Sequence, residues 1–528
     1  MRNLKALFMG SAAFAAMSVA SGSAQAQSYA FGAGSTSVQI VYRQLMDCLY
    51  DQAQGSAGKP GPMAKAWMCT GFNTSGFHGM ILYAPTGSGN GKLVLRTNDK
   101  SQIGIVSHSV PYTNLSKYPG SIDVLDTTGY DGVQFIGSDD VVNTTDIINW
   151  NAGGTTSPQS KFGNLIQLPA VIETIGLGLS EKDGNNVWLN VLTAGLNLSR
   201  NAMCGIVSGH ITQWNNPILT ALNGGVLGTG NIIFVHRWDE SGATFLLSNA
   251  LVAQCRYEFG PNNETDATIV SYSFPWTDRS QSCSTPLVAR GSNQVNWPDQ
   301  FPTDQCGNAV SNPGGGHFAS ARVINQNTPP HHTTGSGALV DFVQSTNGAI
   351  GYASGNFSID QGRVSLWPFI SWRTANLQSQ WDLANNTGKF QAPTWQGAQK
   401  AMATLIPQFD ATTRANPLTW SLQGVAPNPV VAGAYPISGF SWIEMYQCYR
   451  NHNTYDGPRA NGIPVDNNAF LWLKIWLDFL YGTGSTGILN DTGFAQIPGV
   501  WQSEIYSLLN DPVNGPQGSG CSGKVGAY

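Results

Sequence analysis

The chain has 528 residues and a formal net charge of -5, with only 11% charged residues and 61 glycines. This length allows two or more domains with an ample buried core. The acidic balance, with 26 lysines and arginines and no basic run interleaved with aromatic residues, argues against nucleic acid as a partner.

The N-terminal stretch MRNLKALFMGSAAFAAMSVASGSAQAQ has the pattern of a secretory signal peptide. Arg2 and Lys5 form a basic start, an apolar run follows, and AQA at residues 24–26 is a small-x-small cleavage site. A membrane anchor is less favoured, because the apolar run is shorter than the roughly 20 residues that span a bilayer and no cysteine follows to carry a lipid. We predict that residues 1–26 are removed and that the mature protein is periplasmic or secreted.

Eight cysteines follow this segment, and in an exported protein an even number favours disulfides over a metal site. From their proximity in sequence we predict the pairs Cys48–Cys69, Cys204–Cys255, Cys283–Cys306 and Cys448–Cys521. The spacings C-x-x-C and H-E-x-x-H are absent, so zinc has little support. The adjacent His331 and His332 lie in a proline-bounded loop and are more typical of exposed side chains than of metal ligands. No metal and no cofactor is predicted.

Four small-residue turns each follow a strand-like run and open a helix-like run, which is typical of an α/β protein with parallel sheets. They are GAGSTS (32–37), TGSGNGK (86–92), GSDD (137–140) and the turn inside VHRWDESGATF (235–245). The unpaired N–H groups of a helix start attract anions, so converging turns could hold a tetrahedral anion. Taken singly, each turn is more typical of a capped tight turn.

The sequence lacks two enzymatic motifs. TGSGNGKL resembles a nucleotide phosphate loop, but Thr86 and Leu93 stand where that motif needs glycine and a hydroxyl residue, so ATP binding is rejected. The chain also has no G-x-S-x-G turn that would present a hydrolase nucleophile.

Long Asn-, Gly-, Pro- and Thr-rich segments at about 50–78, 98–130, 257–334 and 376–430 lack strong periodicity. Such segments are typical of functional loops or of decorations on a compact fold. The late run AFLWLKIWLDFLYGTG predicts a helix that stops at Gly482 with its apolar face in the core. This interpretation is favoured over an aromatic stacking site for sugars or bases.

Nine blocks, taken in order, resemble the exported phosphate-binding proteins of phosphate ABC importers and their phosphatase-like and DING relatives. The blocks are GAGSTSVQIVYRQLMD, YAPTGSGNGK, VQFIGSDDVV, LIQLPAVIETIGLGLS, GIVSGHITQWNNPILTALN, IIFVHRWDESGATF, VNWP, NGAIGYAS and AYPISGFSW. The resemblance implies an α/β fold of the type II periplasmic-binding-protein class, with two α/β lobes and a ligand cleft between them. Lobe 1 would comprise 27–170 plus 430–528, and lobe 2 would comprise 171–429 with long insertions at about 257–334 and 376–430.

The same resemblance implies a set of ligand-binding residues. They are Thr36, Ser37, Ser88, Asp139, Arg237, Ser241, Gly242 and Ala243, with Asp239 and Thr244 behind them. Arg237 would supply the positive charge, and Asp239 would orient its fork. Asp139 would accept the proton that phosphate still carries near neutral pH, which disfavours fully ionised sulfate.

Two positions depart from the family pattern. Ser37 stands where a bulky apolar residue is usual, and Ala243 stands where the family has threonine. Thr244 could replace the missing hydroxyl, or the anion could be a phosphate ester or arsenate. The leading hypothesis is an exported solute-binding protein that captures inorganic phosphate or a similar oxyanion, in partnership with membrane subunits of an ABC importer. The alternatives are a secreted phosphatase-like enzyme and an extracellular assembly protein on the same fold.

Overall fold

The computed structural model describes residues 28–39, 41–42, 45, 79–99, 132–191, 195–237, 241–255, 297, 317–321, 335–358, 373–450 and 469–527. Eleven strands in this part of the chain form one mixed sheet. They are β1 Ser28–Gly34, β2 Gly79–Pro85, β3 Phe135–Ser138, β4 Leu165–Leu179, β5 Leu196–Leu198, β6 Ile233–His236, β7 Phe318–Ser320, β8 Ala349–Ser354, β9 Arg373–Leu377, β10 Val425–Ala426 and β11 Ser438–Tyr446.

The sheet has a parallel segment at each end. Its order is β2-β1-β3-β11-β4-β8-β6-β7, with β10 beside β11 and β9 beside β4 and β5. Strands β2, β1 and β3 pair in parallel at one end, and β8, β6 and β7 pair in parallel at the other. The antiparallel strands β11 and β4 join the two ends. This arrangement confirms the predicted α/β class.

The two joining strands form the centre of the molecule. Every residue of β4 and of β11 is buried, and both strands carry polar side chains among their apolar ones. Trp442 pairs with Pro169 and Ser441 pairs with Val171, so Ala170 is the extra residue of a β-bulge. Because Pro169 has no N–H to give to the ladder, the irregularity falls where a regular ladder would lose a hydrogen bond.

Helices flank both ends of the sheet. They are α1 Ser88–Thr97, α2 Thr144–Asn151, α3 Pro158–Phe162, α4 Arg200–Val207, α5 Pro217–Asn223, α6 Gly242–Gln254, α7 Gly335–Ser345, α8 Gln380–Ala384, α9 Trp395–Met402, α10 Ala411–Arg414, α11 Pro417–Gln423, α12 Ala469–Tyr481, α13 Thr486–Asp491 and α14 Gly499–Leu509. After β1, the described residues Gln39, Val41, Tyr42 and Leu45 are also helical. Helices therefore follow the first, second and fourth predicted turns directly, and α2 follows the third after a short connection.

The segment at 376–430, for which the sequence leaves a functional loop or a decoration on the fold open, has secondary structure of its own. The segment contains four helices, α8 to α11, and each begins at a capping side chain: Ser379, Thr394, Asp410 and Asn416. These helices have four to eight residues, too few to show a helical period in the sequence. Trp420 packs against Phe409 and Trp501, with ring centroids 4.4 and 6.1 Å away. The segment is therefore part of the core.

The aromatic C-terminal run forms α12, as predicted, and ends at Tyr481 before Gly482. The ring of Trp476 is fully buried and lies 5.0 Å from Tyr42 and 4.9 Å from Phe135, measured between centroids. These contacts fasten α12 to the parallel segment that holds β1 and β3. The core packing predicted for this helix is confirmed.

Two of the predicted disulfides are present, Cys204–Cys255 and Cys448–Cys521. Cys204 lies in α4 and Cys255 follows α6, so the first bond ties the end of α6 to its neighbour. The other two predicted pairs and the predicted signal segment lie outside the described residues. Of the helices that the structure describes, none combines the length and apolar character needed to cross a membrane.

Candidate functional site

The turn after β1 is fixed by hydrogen bonds from its neighbours. The Ser35 N–H donates to the Gly137 carbonyl oxygen at 2.7 Å, and the Tyr83 hydroxyl donates to the Ser35 carbonyl oxygen at 2.8 Å. Gly34 is needed here, because its φ is 120° and a Cβ would lie 2.1 Å from the Gly137 oxygen. The turn that carries the first predicted ligands is thereby locked at the carboxyl ends of β1 and β3.

Asp139 lies at the centre of the predicted site and is 2% exposed. Its Oδ2 accepts the Ser35 hydroxyl at 2.5 Å, and its Oδ1 accepts the Ser441 hydroxyl of β11 at 2.9 Å. Its backbone N–H donates to the Ser88 hydroxyl oxygen at 3.3 Å, at the start of α1. Hydrogen bonds with three separate elements therefore fix the position of Asp139.

The start of α6 packs directly against Asp139 from the other end of the sheet. A Cβ on Gly242 would lie 2.2 Å from the Asp139 Cβ and 2.4 Å from its carbonyl carbon. Ser241 caps the helix, and its hydroxyl oxygen accepts the Thr244 N–H at 3.3 Å. Because only a glycine permits this approach, the contact between the two ends of the sheet depends on Gly242.

Arg237 follows β6 and is 3% exposed. Its Nη1 donates to the Ser336 hydroxyl oxygen at 3.3 Å, at the start of α7. The Ser336 Oγ lies 3.4 Å from the Ser37 Oγ, and the Ser336 N–H donates to the Thr36 hydroxyl oxygen at 3.1 Å. The Ser37 N–H in turn donates to the Ser35 Oγ at 3.1 Å. A continuous chain of hydrogen bonds therefore runs from Arg237 across the cleft to Asp139.

Two further contacts close the cleft. The Asn356 side chain, after β8, donates from Nδ2 to the Ser37 carbonyl oxygen at 3.3 Å. Gly335 has a φ of 86°, and a Cβ placed on it would lie 2.7 Å from the Thr36 Cγ2. With the Gly242 contact, three separate elements of one end of the sheet touch the β1–β3 end. The structure therefore shows the closed form of the cleft.

The departure at Ala243 has a defined setting. Ala243 is fully buried in the first turn of α6. The Thr244 hydroxyl lies 2.6 Å from the Tyr352 hydroxyl. The Tyr352 hydroxyl oxygen accepts the backbone N–H of Arg237 at 3.2 Å. To donate a hydrogen bond to an anion, the Thr244 hydroxyl would have to give up its hydrogen bond with Tyr352. That Thr244 supplies the hydroxyl absent at Ala243 stays a prediction.

The buried charges at this site are mixed in sign. Arg237 is the cation, and Asp139 has a second acid beside it, Glu173 of β4, which is fully buried. Burial, and then the negative charge of Asp139, raise the pKa of Glu173 well above its usual range. Burial likewise raises the pKa values of Tyr42 and Tyr83, so both stay neutral. Glu173 and the two tyrosines are therefore neutral groups beside the hydrogen-bonded chain.

Lys92, the lysine of the rejected phosphate loop, is engaged elsewhere. Its Nζ lies 2.9 Å from both Asp140 and Asp146, and it donates to the Val141 carbonyl oxygen at 2.8 Å. Glu444 is 3.8 Å from the same nitrogen, and burial raises its pKa to about 8. Desolvation of Glu444 raises its pKa more than the charge of Lys92 lowers it, and the two aspartates that pair with Lys92 raise it further. Lys92 therefore serves the packing of α1 against α2.

The structure thus brings together the predicted residues Thr36, Ser37, Ser88, Asp139, Arg237 and Gly242, and Ser241 and Ala243 flank the last of these. Asp239, Glu240, His331 and His332 lie outside the described residues. Ser35, Ser336, Ser441 and Glu173 were not predicted. Ser336 carries a usable signal, because GSGAL at 335–339 is another small-residue helix start. Ser441 and Glu173 lie in buried strands and carry none.

The arrangement suits a small, tetrahedral, partly protonated anion. Helix starts and hydroxyl groups supply donors, a guanidinium group supplies charge, and a carboxylate supplies an acceptor. Across the described ranges, no group of three or more His, Cys, Asp or Glu side chains could hold a metal ion.

Comparison with known proteins gives one family and several relatives. The family described as "PBP superfamily domain" matches residues 19–462. Alkaline phosphatase L of Pseudomonas aeruginosa strain PAO1 is 24% identical over 430 residues, which are 81% of this chain and 81% of the relative. A phosphate-binding protein of an unknown prokaryotic organism is 27% identical over 220 residues, covering 41% of this chain and 46% of the relative.

Solved structures agree on the fold. The phosphate-binding protein from Stenotrophomonas maltophilia aligns with a TM-score of 0.56 at 19% identity, covering 95% of this chain and 99% of that one. The periplasmic phosphate-binding protein PfluDING, solved with phosphate, aligns with a TM-score of 0.54 at 18% identity and covers 94% and 99%. At such identities the likeness shows the fold alone. It confirms the predicted type II periplasmic-binding-protein fold of two α/β lobes.

Proposed function

Because the chain belongs to the PBP superfamily, we propose that it is an exported solute-binding protein that captures inorganic phosphate, or a closely similar oxyanion, between its lobes. The observation that carries this proposal is the hydrogen-bonded chain from Arg237 to Asp139 across the closed cleft. The name of one relative, a phosphate-binding protein, supports the choice of anion.

Arg237 and Asp139, the two ends of the hydrogen-bonded chain, each have a chemical role in the proposal. Arg237 balances the charge of the anion and presents two or more N–H donors to its oxygens. Asp139 accepts the O–H that phosphate retains near neutral pH. Sulfate has no such proton, so its oxygen would face a carboxylate with no donor between them, at a penalty of several kcal/mol. The pair therefore favours phosphate over sulfate.

The main test is calorimetry on the mature protein with phosphate and with sulfate. Asp139→Asn should weaken phosphate binding by more than about thirtyfold, and it should leave sulfate binding unchanged or stronger, because the amide can donate to a sulfate oxygen. Asp140→Asn is the matched control, since the Asp140 carboxylate binds Lys92. It should leave the phosphate affinity as it is.

Arg237→Ala should abolish tight binding of both anions, because a buried anion would lose its counter-charge. Phosphate binding no tighter than about millimolar in the unaltered protein, or equal affinities for phosphate and sulfate, would refute the proposed function.

Export and delivery complete the proposal. We propose cleavage after Ala26, a periplasmic or secreted mature chain, and delivery of the anion to membrane subunits of an ABC importer. The lobes would comprise 27–170 plus 430–528 and 171–429. The N-terminal residue of the protein recovered from a periplasmic extract tests the cleavage site. Phosphate-dependent stimulation of an importer's ATPase by the purified chain tests the partnership.

A second candidate is hydrolysis of phosphate esters, favoured by the likeness to alkaline phosphatase L over 81% of both chains. An ester would place its phosphate group in the same cleft, with Asp139 against it. Release of phosphate from a chromogenic ester by the pure protein, lost in Asp139→Asn, would support this activity. A flat trace across pH, with and without added divalent metals, would remove it.

A further inference from the structure

Glu173 is a buried acid at the floor of the cleft that the proposed function does not use. It lies in β4, one of the two strands that join the ends of the sheet, and it pairs across the ladder with Gly439 of β11. Two residues further along β11, on the same face, Ser441 donates to Asp139. Glu173 and Asp139 therefore lie on one face of the joining strands, where Leu246 of α6 covers Gly439.

The two carboxyl groups differ in their partners. Asp139 accepts hydroxyl hydrogens on both oxygens, from Ser35 and from Ser441. Glu173 is fully buried, and the groups beside its carboxyl group are the Asp139 carboxyl group and the Ser354 hydroxyl. Burial raises the pKa of Glu173 most, the charge of Asp139 and a hydrogen bond with it raise it further, and a hydrogen bond with Ser354 lowers it. An ionised carboxylate in this setting would be desolvated and next to a second negative charge, which is strongly unfavourable.

We propose that Glu173 is a positioning residue that holds the single proton of the Asp139–Glu173 pair, so that Asp139 stays an ionised acceptor and the cleft carries no second negative charge. This inference rests on the proposed function. It follows that the anion site is pH-sensitive from within the protein: once Glu173 ionises, two carboxylates face the anion and the complex weakens. The pKa of Glu173, raised by burial and then by the charge of Asp139, agrees with a protonated Glu173.

Other titratable groups near these strands must be separated from Glu173. Among the described residues, its electrostatic partners are Asp139 and Tyr42, and Tyr42 stays neutral because its own pKa is raised. Gly439 of β11 and Ser354 of β8 do not titrate. Glu444 of β11 and Asp341 of α7 have pKa values raised by burial to about 8 and about 7, so the experiment must separate their ionisation from that of Glu173.

The experiment compares Glu173→Gln with the unaltered protein at each pH, so that titration of phosphate, Glu444 and Asp341 cancels. At about pH 7 the two phosphate affinities should agree within about threefold, because glutamine mimics the neutral acid. As the pH rises through the raised pKa of Glu173, the unaltered protein should bind phosphate more weakly relative to Glu173→Gln, by up to about tenfold per pH unit. Glu444→Gln is the matched control and should follow the profile of the unaltered protein.

A second measurement needs no ligand. The infrared difference spectrum between the unaltered protein and Glu173→Gln at about pH 7 should show the carbonyl stretch of a protonated carboxylic acid. Absence of that band, or a ratio of the two phosphate affinities that stays constant over the whole alkaline range in which the protein remains folded, would overturn the inference. Failure of the proposed function is distinct, because then the unaltered protein would bind no phosphate while the infrared band would still report on Glu173.

Discussion

Gly242 should control whether the cleft can close. It is the first residue of α6, and a Cβ placed on it would lie 2.2, 2.4 and 2.5 Å from the Cβ, carbonyl carbon and Cα of Asp139. The φ of Gly242 is not positive, so alanine suits its backbone. Gly242→Ala therefore changes the packing across the cleft and leaves α6 itself unstrained.

The magnitude follows from these distances. Carbon atoms in contact are about 3.5 to 4 Å apart, so the two sides must separate by about 1 Å or more. Two of the three atoms are backbone atoms and cannot turn aside. Overpacking of this kind costs about 1 to 3 kcal/mol, which corresponds to about 5- to 150-fold in affinity if it falls on the closed form alone. The open form has no such contact, so the anion-free protein should keep its stability.

Calorimetry with phosphate and thermal unfolding of the anion-free protein measure the two effects separately. Gly487→Ala is the matched control, since Gly487 lies in α13 and no atom comes within 4 Å of its Cβ position. A Gly242→Ala protein that binds phosphate within twofold of the unaltered protein would refute the reasoning. So would a large loss of stability without anion, because it would place the contact in every state of the chain.

Three further changes are predicted. Ser336→Ala should weaken phosphate binding about tenfold by calorimetry, because Arg237 loses a hydrogen-bond partner, whereas Ser345→Ala at the other end of α7 should have no effect. Burial raises the pKa of Glu444 from 4.5 to about 8, so stability should fall by up to about 1.4 kcal/mol per pH unit as the pH rises through that window. Glu444→Gln should remove this slope in urea unfolding between about pH 5 and pH 8. Replacing Cys204 and Cys255 together by serine should cost about 4 kcal/mol in guanidinium unfolding, the loop-closure value for a separation of 51 residues, and a loss below about 1 kcal/mol would contradict it.

Local sequence signals predicted the α/β class and those site residues that lie at turns and helix starts. Ser88 and Ser241 lie at helix starts, where small polar residues have a clear meaning in the sequence, and both were found. Ser441 was not, because it lies 302 residues from its partner Asp139 and its strand reads as a buried apolar run. The helices of the segment 376–430 were not predicted, for another reason. They are stabilised by caps and by packing of rings such as Trp420, and neither gives a long periodic pattern.

The position of Ser336 changes the significance of Ala243. At the start of α6, Ala243 leaves the proposed anion site without the hydroxyl that the resemblance implies. The start of α7 brings the Ser336 hydroxyl within 3.3 Å of the Arg237 guanidinium and 3.4 Å of the Ser37 hydroxyl. A hydroxyl between a guanidinium and a second hydroxyl can turn its hydrogen toward an anion without losing the bond that it accepts. The donor missing from one helix start can thus be supplied by another, so that Ala243 is compatible with a phosphate-sized anion.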